Sequence, residues 1–220
     1  MAPAPDPDPT PRADIAPPDR AGDPAPWRTL RSHYVHHCPW LKARQDHVRL
    51  ENGAEMEDYY VLEYPDWVNA VLVTPEREAV LIRIYRHGIR AVHFEVPGGV
   101  IDPGEDPLAA AQREAMEETG YGARTWRSLG RVSANSATHD NATWLFLGLD
   151  ARRLREPDPD EAEELVTHRV PLDRLAALLD QEEVFQATHA LALTRACLAL
   201  GVPATSGDWR IGDGSSGAST

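Results

Sequence analysis

Cysteine is scarce in this 220-residue chain: Cys38 and Cys197 are the only two, and they lie far apart. They make neither a disulfide framework nor a CxxC metal motif, so a pair of reduced, buried thiols is expected. Basic residues are also few. Lys and Arg number 22 against 35 Asp and Glu, for a formal net charge of −13. Such a surface argues against binding to a nucleic-acid backbone or an anionic membrane, which takes clustered cations. It leaves room for a small anionic substrate, because a bound divalent cation reverses the sign locally. No charged segment followed by an apolar one opens the chain, and no apolar run reaches the roughly 18 residues of a membrane span. A cytoplasmic protein is expected.

What the chain does contain divides into three parts. Residues 1–26 are almost entirely Pro, Ala, Asp and Arg, a composition expected to give a disordered tail. Residues 203–220, ending in GDGSSGAST, are expected to form a flexible C-terminal tail. Between them, residues 27–202 read as one domain, and with 42% hydrophobic residues and six tryptophans the chain can fill a core. YYVLEY (59–64) and WVNAVLVT (67–74) read as strands joined by a turn at Pro65 and Asp66. AVLIRIYR (79–86), VHFEV (92–96), TWRSLGRV (125–132), TWLFLGL (143–149) and ELVTHRVP (164–171) read as further strands. LDRLAALLD reads as a short helix, and VFQATHALALTRACLALG as a long amphipathic one stopped by Gly201. Strands and helices in this order predict an α/β fold, a sheet with helices on both faces.

The most informative stretch is Gly99 to Tyr121, GVIDPGEDPLAAAQREAMEETGY. Asp106 followed by Pro107 is a helix start, and Gly120 is a matching stop. At about 100° per residue, Glu114, Glu117 and Glu118 project to one side with Ala110 beneath them. Leu108, Ala111, Ala115 and Thr119 form the adjoining small or apolar stripe that can lie on a sheet. Like charges at i, i+4 repel by a few tenths of a kcal/mol. A bound metal ion would relieve that repulsion, and carboxylates on one side of a rigid helix have the geometry of a metal site.

These residues resemble the Nudix hydrolase signature, G-x5-E-x7-R-E-U-x-E-E-x-G-U with U apolar. Gly99, Glu105, Arg113, Glu114, Glu117, Glu118 and Gly120 fill every fixed place, and Ala115 and Tyr121 fill the U places. The resemblance implies the Nudix fold, an α-β-α sandwich with a mixed sheet. It implies a hydrolase dependent on Mg²⁺ or Mn²⁺ that cleaves a pyrophosphate bond. Glu114, Glu117 and Glu118 then supply carboxylate ligands and catalysis, and the carbonyl of Gly98 a further ligand. Glu105 and Arg113 correspond to the family's structural pair, with Gly99 and Gly120 in support.

"RIYRHG" before "FEVPGGVIDPGEDP" is similar to the branch that cleaves ADP-ribose and other nucleoside diphosphate derivatives. That branch often carries a proline some 15 residues after the signature, where this chain has Ser136 and Ala137. Arg86, and after it Arg83, can pair bidentately with a substrate phosphate, although both also read as ordinary strand arginines. His87, His93 and His139 lack ligand spacing. Trp67 and Trp144 suit core packing better than base stacking. In the acidic loop EPDPDEAEE, Glu161, Glu163 and Glu164 are candidates for a general base, with Glu164 favoured because it adjoins a strand; a solvated loop is the equal alternative. The substrate expected is a small nucleotide, with no nucleic-acid or membrane partner, and the branch implies a homodimer exchanging N-terminal strands. A Nudix-fold module that senses a nucleotide metabolite without turnover is the alternative function, and the complete glutamate set weighs against it.

Overall fold

The computed structural model describes residues 21–38, 41–159 and 164–207. Its elements run β1 (Arg28–Cys38), β2 (Leu41–Arg49), β3 (Glu55–Glu63), β4 (Trp67–Val73), β5 (Glu78–Arg86), β6 (Ala91–Glu95) and β7 (Gly98–Val100). Then come α1 (Pro107–Thr119), β8 (Tyr121–Gly122), β9 (Thr125–Val132), β10 (Thr143–Leu149), β11 (Arg152–Arg153), β12 (Leu165–Pro171), a 3₁₀ turn (Leu172–Arg174), α2 (Leu175–Asp180) and α3 (Ala187–Leu200).

Seven strands form the central sheet in the order β12-β5-β4-β10-β9, with β6 beside β5 and β7 beside β4. The sheet is mixed, since β4 and β10 are parallel and its other neighbours antiparallel. Strand side chains alternate between faces, and that alternation builds two cores. Val68, Ala70 and Leu72 of β4, with Val80 and Phe146, pack on Ala110, Ala111 and Ala115 of α1. Val71, Val73, Leu81, Leu145 and Leu147 face Ala192, Leu193, Ala196 and Cys197 of α3. The expected layering of helix, mixed sheet and helix is therefore observed. Cys197 is buried as expected, whereas Cys38 is only half-buried; both are free.

Upstream, β1, β2 and β3 make a separate antiparallel sheet. Arg44 ties it together by pairing with Asp46 (2.8 Å) and Glu63. It joins the main body through the bond from Leu62 N to the Thr138 carbonyl (2.7 Å) and from the Tyr59 hydroxyl to Ala137. The sequence reading begins its strands at 59 and misses β1 and β2. RTLRSHYVHHC is exposed along most of its length, so no apolar alternation marks it. The turn expected at Pro65 and Asp66 does not join a hairpin, because β3 and β4 lie in different sheets. Asp66 instead accepts from Ala142 N (3.0 Å) and Trp144 Nε1 (3.3 Å), linking β4 to the start of β10. At the other end the chain stays attached beyond residue 202: Ala204 packs on the α3-side core and Ser206 N donates to Asp180 (2.6 Å).

Candidate active site

Helix α1 is fixed at both ends by the residues its sequence offers. Asp106 accepts from Leu108 N (3.0 Å) and Ala109 N (3.1 Å). Gly120 closes the helix at φ 73°, a left-handed conformation that favours glycine, and a Cβ there would collide with the Arg155 carbonyl. The loop after β11 seals this end, with Leu154 N donating to the Gly120 carbonyl (2.8 Å) and Asp158 N to that of Glu117 (2.7 Å).

Arg113 is the hub of the exposed side. Its guanidinium grips Glu105 with two bonds (3.0 and 2.9 Å), and also reaches Glu114 (2.7 Å), Glu117 (3.1 Å) and the Val100 carbonyl (2.9 Å). The bond to Glu105, aided by the other two carboxylates, raises the arginine's pKa further above its ordinary value. In return Arg113 lowers that of Glu105. The expected pair is thus present, and it extends to two of the three helix glutamates.

The third glutamate behaves differently. Glu118 is 1% exposed and accepts from Gly98 N (2.8 Å), so it turns into the protein rather than toward an open cleft. Gly98 and Gly99 pair with Asn69 and Val68 of β4. A Cβ on Gly98 would collide with the Val68 carbonyl, and one on Gly99 with the Glu114 carboxylate. The glycines let the loop, the strand and the acidic helix face converge.

On the other side of that loop stands a cluster the sequence reading missed. Glu95 is fully buried and pairs bidentately with Arg86 (2.9 and 2.7 Å) and with His93 (2.6 Å). Burial pushes its carboxyl up, but the hydrogen bonds from Arg86, helped by nearby His189 and His93, more than offset this and hold it at about 2. His189 of α3 accepts from Val96 N (3.2 Å), with its other ring nitrogen 3.5 Å from Glu95. Burial pushes His189 down to about 4. Loop 96–99 is therefore held from two faces, by Glu118 at Gly98 and by His189 at Val96. The available signal was a charged residue inside the apolar strand VHFEV, across a hairpin from an arginine.

Arg86, predicted to meet a phosphate, sits on Glu95. Glu164 is exposed, one residue before β12, and Thr167 of that strand lies 3.5 Å from the Glu118 carbonyl. Glu161 and Glu163 lie outside the described residues.

Among the described residues, no three His, Cys, Asp or Glu side chains form a ready metal-binding group. The donor chemistry nonetheless fits a hard cation, because Glu114, Glu117, Glu118 and the Gly98 carbonyl offer only oxygen. Glu114 and Glu117 now bond to Arg113, so a cation there would exchange with a guanidinium and not fill a preformed cage.

Comparisons with known proteins identify the family. The NUDIX domain matches residues 63–191, and the nucleoside diphosphate sugar hydrolase N-terminal domain matches residues 27–62, the segment of β1, β2 and β3. The chain is 32% identical over 180 residues to the CMP-5'-(N-acetyl-N-hydroxy-3-aminopropyl)phosphonate hydrolase of Streptomyces rubellomurinus (strain ATCC 31215), covering 80% of this chain and 84% of that one. It is 29% identical over 149 residues to the ADP-ribose pyrophosphatase of Bacillus subtilis (strain 168), covering 66% and 79%. In three dimensions it resembles the crystal structure of an ADP compounds hydrolase, with TM-score 0.73, 24% identity and coverage of 81% of this chain and 96% of that one. With its signature helix, its fold and most of its length matched, the chain belongs to the Nudix family.

Proposed function

We propose that this protein is a divalent-metal-dependent pyrophosphohydrolase acting on a nucleoside diphosphate linked to another group, such as ADP-ribose or a nucleoside diphosphate sugar. The observation that carries this is the placement of Glu118 and Glu114 of α1 against Gly98 and Gly99, with Glu117 gathered beside Glu114 by Arg113, which Glu105 braces. The names of the relatives, an ADP-ribose pyrophosphatase and a cytidylyl phosphonate hydrolase, support the same bond class.

Water adds to one phosphorus, the P–O–P link breaks, and two phosphate-ester products leave. Glu114, Glu117, Glu118 and the Gly98 carbonyl would hold Mg²⁺ or Mn²⁺, which when bound would neutralise the phosphate charge. The chain's own task is positional: Glu118 fixes the loop, Arg113 keeps the outer carboxylates gathered, and Arg86 holds a guanidinium near the loop for a phosphate. Glu164 is assigned the base that takes the water's proton.

The exposed apolar side chains of the N-terminal sheet, Trp27, Val35, Met56 and Tyr60, support a homodimer in which that sheet packs on a partner. Among the described residues no helix is long and apolar enough to cross a membrane, and the composition supports a cytoplasmic location.

The test is a panel of ADP-ribose, NADH, diadenosine polyphosphates, nucleoside triphosphates and UDP-sugars with Mg²⁺ or Mn²⁺ and with chelator, followed by product identification. Metal-dependent release of two monophosphates from a diphosphate-linked substrate is expected. Glu164→Gln should then lower kcat by about 10²–10⁴-fold, the usual contribution of a general base. An unchanged rate would return that role to the helix.

A further inference from the structure

Val96 falls between β6 and β7, past the end of one strand and short of the next. Its N–H finds an acceptor in the opposite layer: Nδ1 of His189, in the first turn of α3, at 3.2 Å. The geometry points to His189 as a positioning residue that sets the Gly98 carbonyl for the divalent cation. The inference rests on the proposed pyrophosphohydrolase reading and goes beyond it, since His189 belongs neither to the signature helix nor to the cation's donors.

The imidazole is itself held in one orientation. Because Nδ1 accepts, the neutral ring carries its proton on Nε2, and that nitrogen stands 3.5 Å from Glu95. Glu95 is fixed in turn by Arg86 (2.9 and 2.7 Å) and His93 (2.6 Å). Carboxylate-braced histidines orient metal sites from behind in the same way; here the oriented group is a backbone amide. Packing alone does not call for a histidine. Farther along the same helix, Ala192, Leu193 and Ala196 fill the core with apolar side chains.

Only Pro97 separates Val96 from Gly98. Its ring fixes φ and it has no N–H to bond elsewhere, while its carbonyl accepts from Ala70 N (2.8 Å). Gly98 N then donates to Glu118 (2.8 Å), and Gly98 pairs with Asn69. The three residues are therefore tied in turn to α3, to β4 and to α1. Val96 has no exposed surface, so without His189 its N–H would be buried and unpaired, an unfavourable state. The backbone would turn to find another acceptor, and the Gly98 carbonyl would turn with it.

The test compares His189→Gln, whose amide oxygen can still accept from Val96 N, with His189→Leu, which fills the space without an acceptor. Amide hydrogen exchange of the full chain in chelator reads the loop with no metal present, and calorimetric titration with Mn²⁺ reads the site. In His189→Leu, exchange at Val96 and Gly98 should rise about tenfold more than at Leu145 and Leu147 of β10, and Mn²⁺ affinity should fall about tenfold, a usual effect of losing such support. His189→Gln should restore both. An equal rise at β10, an unchanged Mn²⁺ affinity, or a His189→Gln variant as weak as His189→Leu would each overturn the assignment. Should His189→Leu not fold, the wild type still decides. Mg²⁺ should shift the Val96 amide and the His189 ring nitrogen resonances together with Gly98, and a shift confined to Gly98 would overturn it. Failure of the parent reading looks different: the wild type would bind no Mn²⁺ and hydrolyse no diphosphate-linked substrate, which takes the inference with it. Failure of the inference alone leaves a metal-binding hydrolase with equal Mn²⁺ affinity in wild type and variants.

Discussion

Two clusters of carboxylate and guanidinium flank loop 96–99, and they differ mainly in their access to water. On the α1 side, Arg113 is one-third exposed and shares itself among Glu105, Glu114 and Glu117. On the α3 side, Glu95 has no exposed surface and is locked to Arg86 and His93. The same chemistry therefore does opposite things. An arginine with three carboxylates near solvent can release two of them to a cation at modest cost. A carboxylate without water cannot lose its partner, because it would remain as an uncompensated buried charge.

The sharpest way to break this contrast is to remove charge from the buried side. Arg86→Leu leaves fully buried Glu95 without its charged partner and should cost about 3–5 kcal/mol of stability, the usual effect of breaking a buried pair from one side. Urea denaturation checks it. A loss below about 1 kcal/mol, the level of a surface pair, would erase the distinction between the clusters.

Acid should expose the same difference. His189 has its folded pKa lowered to about 4, so below about 6.5 the unfolded chain binds the extra proton and stability falls as pH drops toward 4. Glu95, held at about 2, adds a second loss that begins below about 4.5 and runs down to 2. Each contributes on the order of 3 kcal/mol over its window. Urea midpoints between pH 7 and pH 4 should fall in the wild type and fall less steeply in His189→Gln. Equal slopes would remove His189 from the account.

A smaller effect is expected on the α1 side. Arg113→Ala removes the grip on Glu105 and should cost about 1–3 kcal/mol, the range of a charge-assisted hydrogen bond. It should also slow turnover, since Glu114 and Glu117 lose the group that gathers them. Thermal melts and steady-state rates in Mg²⁺ check the two parts. A stability change without a rate change would restrict Arg113 to scaffolding.

The contrast also explains what could be read from sequence. The α1 side was legible almost to the residue because caps, spacing and charge all lie within 23 consecutive positions, Gly99 to Tyr121. The layering of the sheet was legible from the aromatic and β-branched runs WVNAVLV and TWLFLGL and from the order of strands and helices around them. The α3 side was not, because Glu95 and His189 are 94 positions apart in sequence and meet only after β6 and α3 pack. Nor did sequence show that Glu118 would be buried on Gly98 while its neighbours stay near solvent. Helix periodicity places the three on one side, but the depth of each depends on the loop opposite. Strands β1 and β2 were missed for a different reason: their sheet has little buried apolar surface, and hence no periodic signal.

The central claim is that Glu114 and Glu117 exchange Arg113 for a divalent cation that Glu118 also holds. Calorimetric titration of Mn²⁺ into the metal-free wild type and into Glu114→Gln, Glu117→Gln and Glu118→Gln tests it most directly. The account predicts saturable binding in the wild type that weakens by about tenfold or more in each variant, the scale of at least 1.4 kcal/mol per lost ligand. Wild-type affinity in all three variants, or no Mn²⁺ binding to the wild type, would contradict it.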